Sequence, residues 1–228
     1  MWRDCARAGI GCLVCCRALS FSSAINMGLT PSDLSVKNQE TEGLLSPWLR
    51  SRRLRQAAAF IEPGSAVLDI ACGAGFLKQF LPANCRYFGM DRIQPPDTTR
   101  FEMFMCEDVM VPESLTALHS RLGLQVDVIT MLAFVEHIKN PESILAALKV
   151  FLTNKGRIIL TTPHPMGRNI HDGLSRIGLC SASAAAEHEQ FLDRDRLEAI
   201  ASQAGYFTLY YHRFLFGLNQ VSVMIRNQ

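Results

Sequence analysis

The 228-residue chain has no apolar run long enough to span a bilayer, so no integral membrane segment is expected. It has little net charge: 23 Lys and Arg stand against 21 Asp and Glu, a balance of +2. Arg3, Arg7 and Arg17 set against Asp4 account for that excess, which leaves the remainder near neutral. A chain without a basic stripe is poorly suited to neutralising phosphates, so nucleic acid is not an expected partner. Metal-ligand spacing is also scarce. Cys12 and Cys15 form the single CxxC pair, and the first histidine is His119. A structural zinc site wants four ligands, usually as two spaced pairs, so no metal is expected. Cys72, Cys85, Cys106 and Cys180 are scattered singly, as thiols are in a reducing compartment, and a cytoplasmic location follows as an expectation.

What is present is globular: 48% of residues are apolar and 19% charged, enough for one α/β domain with a single core. The apolar run Ile10 to Cys16 is short and followed by Arg17, so residues 1–27 read as a poorly ordered tail rather than a signal peptide. The change of composition at Met27 predicts that translation starts there. Residues 28–228 are expected to form one domain, with Gly28 to Gly43 loosely ordered.

Helical and strand periods alternate along that domain. Trp48, Leu49, Leu54, Ala58 and Ile61 form a stripe that predicts a helix over Pro47 to Ile61, with Ser46 as N-cap. Short apolar runs predict strands at Ala66–Ile70, Arg86–Met90, Phe101–Cys106, Val126–Met131 and Arg157–Thr162. Helices are expected at Gly73–Leu81, Pro112–Leu122, Pro141–Leu152 with Asn140 as N-cap, and Asp193–Ala204 with Gly205 as its stop. Asn154 to Gly156 reads as a turn, and His164 to Glu187 as a long functional loop. Tyr206–Phe214 and Gln220–Arg226 read as two antiparallel strands on a short Gly-Leu-Asn connection. Such alternation implies a parallel sheet with helices on both faces, and ligands bind such sheets beyond the carboxyl ends of the strands.

The first strand ends in Asp69-Ile-Ala-Cys-Gly-Ala-Gly75. Glycine there admits a close ligand, where a Cβ would clash. A dinucleotide fingerprint begun at Gly73 would put Lys78 where a small residue is needed, which argues against a pyrophosphate cofactor. The observed pattern is Asp-x-small-x-Gly-x-Gly. With Asp91 ending the second strand, it resembles the class I S-adenosylmethionine-dependent methyltransferases over roughly Ser46 to Gln228. It departs at Ala71, where that family usually has glycine.

The resemblance implies a Rossmann-like methyltransferase fold: a largely parallel seven-stranded sheet, its last strand antiparallel, with helices on both faces. It implies S-adenosyl-L-methionine as cofactor, held by Asp69, Ala71, Cys72, Gly73, Gly75, Asp91, Arg92, Asp108, Val109, Met131 and Leu132. Asp91 would accept from both ribose hydroxyls, as a two-oxygen carboxylate can. Asp108 would accept from the adenine amine and the Val109 N–H would donate to its ring. Carbonyls of Met131 and Leu132 would face the methionyl ammonium. Glu136-His137-Ile138 resembles the acidic-His pair found there in small-molecule methyltransferases, and His188 to Asp193 resembles a stretch preceding the late helix in enzymes of metabolites and glycolipid precursors. Each residue also has a plainer role open to it: a helix cap for Asp69, surface loop acids for Asp91 and Asp108, a structural histidine at His137.

The expected activity is methyl transfer to an oxygen or nitrogen of a small-molecule or glycolipid-precursor acceptor by a monomer or homodimer. His137 is the first candidate for a general base near neutral pKa and His164 the second, with His171 and His188 as further acceptor-site candidates. Two alternatives remain: a catalytically silent relative acting as a partner subunit, and a nicotinamide-dependent oxidoreductase. The base-modifying Asn/Asp-Pro-Pro-Tyr motif is not found after the fourth strand, which reads Met131-Leu-Ala-Phe134.

Overall fold

A computed structural model describes residues 46–167 and 192–227. The expectations for the N-terminal tail, Met27, the Cys12–Cys15 pair, Cys180, His171 and His188 lie outside the described residues. Helix α1 (Ser46–Ala58) leads to strands β1 (Ala66–Ile70), β2 (Arg86–Asp91) and β3 (Met103–Cys106). Helix α2 (Pro112–Leu122), β4 (Val126–Leu132), helix α3 (Pro141–Ala147) and β5 (Leu152–Pro163) follow. Helix α4 (Arg194–Gln203), β6 (Tyr206–Phe214) and β7 (Asn219–Arg226) complete the order.

The seven strands form one sheet in the order β3-β2-β1-β4-β5-β7-β6. β1 runs parallel to both β2 and β4, while β7 runs antiparallel to both β5 and β6. The expected sheet with its antiparallel last strand is therefore the observed one. The chain reverses direction in strand order between β1 and β4, and the carboxyl ends of β1, β2 and β4 are level there: Ile70 lies beside Met90 and beside Met131.

Both faces are covered, which is why the strands are apolar at successive positions. Leu68, Ile70, Met90 and Ile129 pack on one face with Leu118 of α2, Leu145 of α3 and Leu197 of α4. Val67, Tyr87, Val128 and Ile159 pack on the other with Leu54 and Ala57 of α1. Each fully buried Leu or Ile contributes about 1.5–3 kcal/mol by leaving water. Among the described residues no helix is long and apolar enough to cross a membrane.

Several boundaries differ from expectation. The helix expected over Gly73–Leu81 is a 3-10 turn, Phe76–Phe80. Gly75 is left-handed and Leu81, before Pro82, is extended, so only five residues remain between them. The third strand begins at Met103 because Phe101 turns into the core and stacks on Tyr87, ring centroids 4.9 Å apart. The helix expected over Pro141–Leu152 ends at Ala147 and continues as a 3-10 turn, Leu148–Phe151, and Asn140 makes no side-chain cap. The turn expected at Asn154–Gly156 lies inside β5 as an irregularity, since Leu152 pairs with Val126 but Arg157 with Val128. The start of α4 does follow its sequence signal: the Arg196 N–H donates to Asp193 Oδ1 at 2.9 Å.

Candidate functional site

The loop after β1 is stitched to the end of β2. The Ala71 and Cys72 N–H groups both donate to the Met90 carbonyl, at 2.8 and 3.3 Å. The Gly73 N–H donates to Asp91 Oδ2 at 2.8 Å, and the Ile93 N–H donates to Asp91 Oδ1 at 2.9 Å. Ala71, Gly73 and Gly75 all have positive φ, at 57, 52 and 69°. Glycine enters that region freely, whereas alanine is strained in it. The space where a Gly73 Cβ would stand is open, while a Gly75 Cβ would meet the Phe101 ring at 2.5 Å.

Asp69 lies beneath this loop, buried, and is not a helix cap. It accepts from the Tyr87 hydroxyl and the Thr130 hydroxyl, both at 2.6 Å. Burial pushes its carboxyl up to about 6, against those hydrogen bonds and with the Asp91 charge adding to the rise. Burial raises the Cys72 thiol far above its ordinary value, and the charges of Asp69 and Asp91 add to this. The thiol therefore stays neutral and is a poor nucleophile.

Beyond the strand ends lies a cavity of about 520 Å³, a size usual for small-molecule sites. Ala71 forms one wall; Asp91, Arg92 and Ile93 follow from β2; Glu107 to Met110 follow from β3; Phe134 and His137 come from the turn after β4. Six of the sequence-selected residues thus meet in one lining: Ala71, Asp91, Arg92, Asp108, Val109 and His137. Asp108 closes its own turn, accepting from the Met110 N–H at 2.9 Å. Asp69, Cys72, Gly73, Gly75, Met131 and Leu132 stand outside the lining. Gly73 still acts on it, through its bond to Asp91. His164 also stands outside it, its Nδ1 accepting from the Met166 N–H at 3.1 Å. Burial lowers the His164 imidazole pKa, and the Arg213 charge adds to this.

Sequence reasoning missed Ile93, Met110 and Phe134. Ile93 is 56% exposed and Met110 43%. Large apolar side chains left uncovered at a cavity mouth are usual at binding sites, but nothing periodic marks them in the sequence. Phe134 and His137 are three apart about the 3-10 turn Val135–His137, a spacing that puts side chains in line.

Glu136, between them, is 1% exposed, and neither carboxylate oxygen has a partner at full hydrogen-bond geometry. Burial raises its pKa, opposed by a backbone hydrogen bond, by the charges of His137 and of Arg53 on α1, and by the Thr162 hydroxyl. Arg53 is half-buried. Burial lowers its guanidinium pKa, and the Glu136 charge opposes that.

A family model described as a methyltransferase domain matches residues 46–210. No curated protein sequence matches the chain. Among solved structures, the fold is similar to a chain of the complex between the Haloferax volcanii Trm112 methyltransferase activator and a methyltransferase. The TM-score is 0.59 at 13% identity, over 80% of this chain and 93% of that one. A methyltransferase dependent on S-adenosylmethionine from Anabaena variabilis gives 0.59 at 18% identity, over 85% and 91%. The Burkholderia thailandensis 1,6-didemethyltoxoflavin-N1-methyltransferase, with its substrate and S-adenosylhomocysteine bound, gives 0.57 at 16% identity, over 80% and 81%. Identities this low establish the fold alone.

Proposed function

The chain belongs to the methyltransferase-domain family, class I in fold, and from that premise we propose that it transfers the methyl group of S-adenosylmethionine to an oxygen or nitrogen of a small-molecule acceptor. One observation carries this reading: the ends of β1, β2, β3 and β4 bring Ala71, Asp91, Asp108, Val109 and His137 into the lining of one cavity. The residues fit the cofactor. Asp91 is held from behind by the Gly73 and Ile93 N–H groups, which leaves lone pairs on both oxygens for a vicinal diol. Asp108 and the Val109 backbone serve the adenine, and Ile93 and Met110 supply apolar surface for its faces.

S-adenosylmethionine brings a methyl group already activated by its sulfonium. The protein's part is alignment and the exclusion of water. His137 accepts the proton that the acceptor's O–H or N–H gives up as the new bond to carbon forms. Asp69 holds Tyr87 and Thr130 under the glycine loop and so positions the loop from below.

Calorimetric titration with S-adenosylhomocysteine, beside one with NAD, tests the reading. Micromolar binding of the first and none of the second is expected. Binding of NAD alone would transfer the site to an oxidoreductase. A glycolipid precursor is one acceptor class to include in a turnover panel.

A further inference from the structure

The hairpin that joins β6 to β7 has a backbone its residues do not favour. Leu215, Phe216 and Gly217 follow one another at φ of 52, 56 and 81°. A left-handed pair in a tight hairpin suits Asn or Gly, whereas leucine and phenylalanine are strained in it. The turn is held regardless. The Gly217 N–H donates to the Phe214 carbonyl at 3.1 Å, and the Leu218 N–H donates to the Leu215 carbonyl at 3.0 Å. Nε and Nη2 of Arg213 both donate to the Gly217 carbonyl, at 3.2 and 3.0 Å. The His164 N–H, from the segment after β5, donates to the Leu218 carbonyl at 2.8 Å. The turn so tied leaves Phe216 97% exposed. Strain of this kind persists only where the surroundings enforce it, and it clusters at functional positions.

The neighbours of Phe216 point to what covers it. Met166 is 61% exposed, and its Sδ lies 2.9 Å from Arg213 Nη2. Arg213 thus ties one bare apolar side chain to the turn that carries another. Neither segment brings an acid: Arg157 to Gly167 and Gly205 to Gln228 contain no Asp or Glu. Apolar side chains standing clear of the surface, with a cation and no acid beside them, complement a bilayer with anionic headgroups. A folded partner would cover about 800 Å² on each side and offer a pocket shaped to its anchor. Fluid lipid needs no matching shape. Pro163 at the end of β5 pairs with Asn219 at the start of β7, so the tip stands at the carboxyl ends of the parallel strands, the end at which the cavity lies.

We propose that Phe216 and Met166, with Arg213, dock this end of the sheet on an anionic lipid surface. Docking there turns the cavity toward the bilayer, whichever ligand the cavity takes.

Vesicle co-flotation of the full chain tests this, with phosphatidylcholine alone and with three parts phosphatidylcholine to one of phosphatidylglycerol. Wild type should float with the mixed vesicles, and with a partition coefficient about fivefold lower on phosphatidylcholine alone. Phe216→Asn should lower partition into the mixed vesicles at least about tenfold, since the transfer of one large apolar side chain is lost. Asparagine accepts the left-handed backbone, so the melting temperature should hold or rise, and lost binding would not be unfolding. Phe216→Trp should retain binding, because tryptophan suits the headgroup level. S-adenosylhomocysteine affinity should be the same in wild type and Phe216→Asn. Undiminished flotation of Phe216→Asn would assign lipid affinity to another part of the chain and overturn the proposal. So would a wild type that does not float with the mixed vesicles. Light scattering that finds wild type a dimer and Phe216→Asn a monomer would overturn it too, since a second copy would then cover the tip. A tenfold loss of S-adenosylhomocysteine affinity in Phe216→Asn would give the tip to the cofactor site and overturn it likewise.

Discussion

The Gly73 N–H donates to Asp91 Oδ2 at 2.8 Å, tying the tip of the β1 loop to the tip of β2 across 18 residues of chain. The Ile93 N–H holds the other oxygen at 2.9 Å. The carboxylate is therefore oriented before any ligand arrives, and its rotamer freedom is already spent in the fold.

Removing that carboxylate should weaken cofactor binding more than it weakens the fold. Hydrogen bonds to charged groups are worth about 1.5–3 kcal/mol each. Asp91→Ala should lower S-adenosylhomocysteine affinity at least tenfold by calorimetry. Asp91→Asn, which retains one acceptor oxygen, should fall between. Unaltered affinity in Asp91→Ala would remove Asp91 from the site.

Ala71 occupies the position where the family usually has glycine, with φ at 57°. The left-handed region penalises a Cβ by about 1–2 kcal/mol, and glycine returns about 0.5–1 kcal/mol of that through unfolded-chain entropy. Ala71→Gly should therefore raise the melting temperature by about 1–2 °C. Ala71→Val, β-branched and beside the cavity, should lower it and weaken S-adenosylhomocysteine binding. A calorimetric scan in which Ala71→Gly melts below wild type would show the loop is not strained there.

His137 lines the cavity beside Phe134. His137→Ala should reduce turnover by about 10²-fold or more, the usual contribution of a positioned base. S-adenosylhomocysteine affinity should hold within a few-fold. Full activity in the variant would take the imidazole out of proton transfer.

Much of this was legible in the sequence, for physical reasons that differ by residue. The strands of a doubly covered sheet are apolar at most positions, so Ala66 to Ile70 and Val126 to Met131 were readable as runs despite Asp69, Asp127 and Thr130. Asp91 and Asp108 were readable because they stand at or just past the ends of strands, where a parallel sheet offers its ligand site. The helix after Gly75 was not: Phe76, Leu77, Phe80 and Leu81 repeat with a helical period, yet the left-handed Gly75 and the extended Leu81 leave it five residues. Nor were Ile93 and Met110, loop residues with no period at all. Glu136 was read as half of a motif. Its burial is set by tertiary packing, which no local pattern encodes.

Asp69 makes stability depend on pH in an unusual direction. Its folded carboxyl is raised from 3.8 to about 6, chiefly by burial, so the fold favours the protonated form. Below the unfolded value both states carry the proton, and the stabilisation is fully present. As pH rises from about 4 to about 6 the unfolded chain ionises first, and stability declines by about 3 kcal/mol at most. Asp69→Asn carries no such titration. Denaturant midpoints of the two proteins, compared pH by pH, should diverge over that interval, with wild type losing ground as pH rises. A constant difference across it would mean that Asp69 ionises normally in the fold.

Gly75 and Gly73 share a left-handed backbone but not their surroundings, and substitution should separate the two effects. A Cβ on Gly73 meets nothing within 4 Å, whereas one on Gly75 would stand 2.5 Å from Phe101 Cζ and 2.9 Å from Cε2. Phe101 cannot swing aside easily: it is stacked on Tyr87 and fills the space over Gly89. Gly73→Ala should thus lose only the backbone penalty, about 1–2 kcal/mol. Gly75→Ala should lose that and about 1–3 kcal/mol more from overpacking. Phe101→Leu destabilises by itself, since it empties part of the core, but it vacates the place the new methyl would take. In a double-mutant cycle by urea denaturation, Gly75→Ala should therefore be milder in the Phe101→Leu background, by about 1 kcal/mol or more. The same cycle run with Gly73→Ala should close to within error. Additive behaviour of Gly75→Ala and Phe101→Leu would show that the ring yields, and that Gly75 is required for its φ alone.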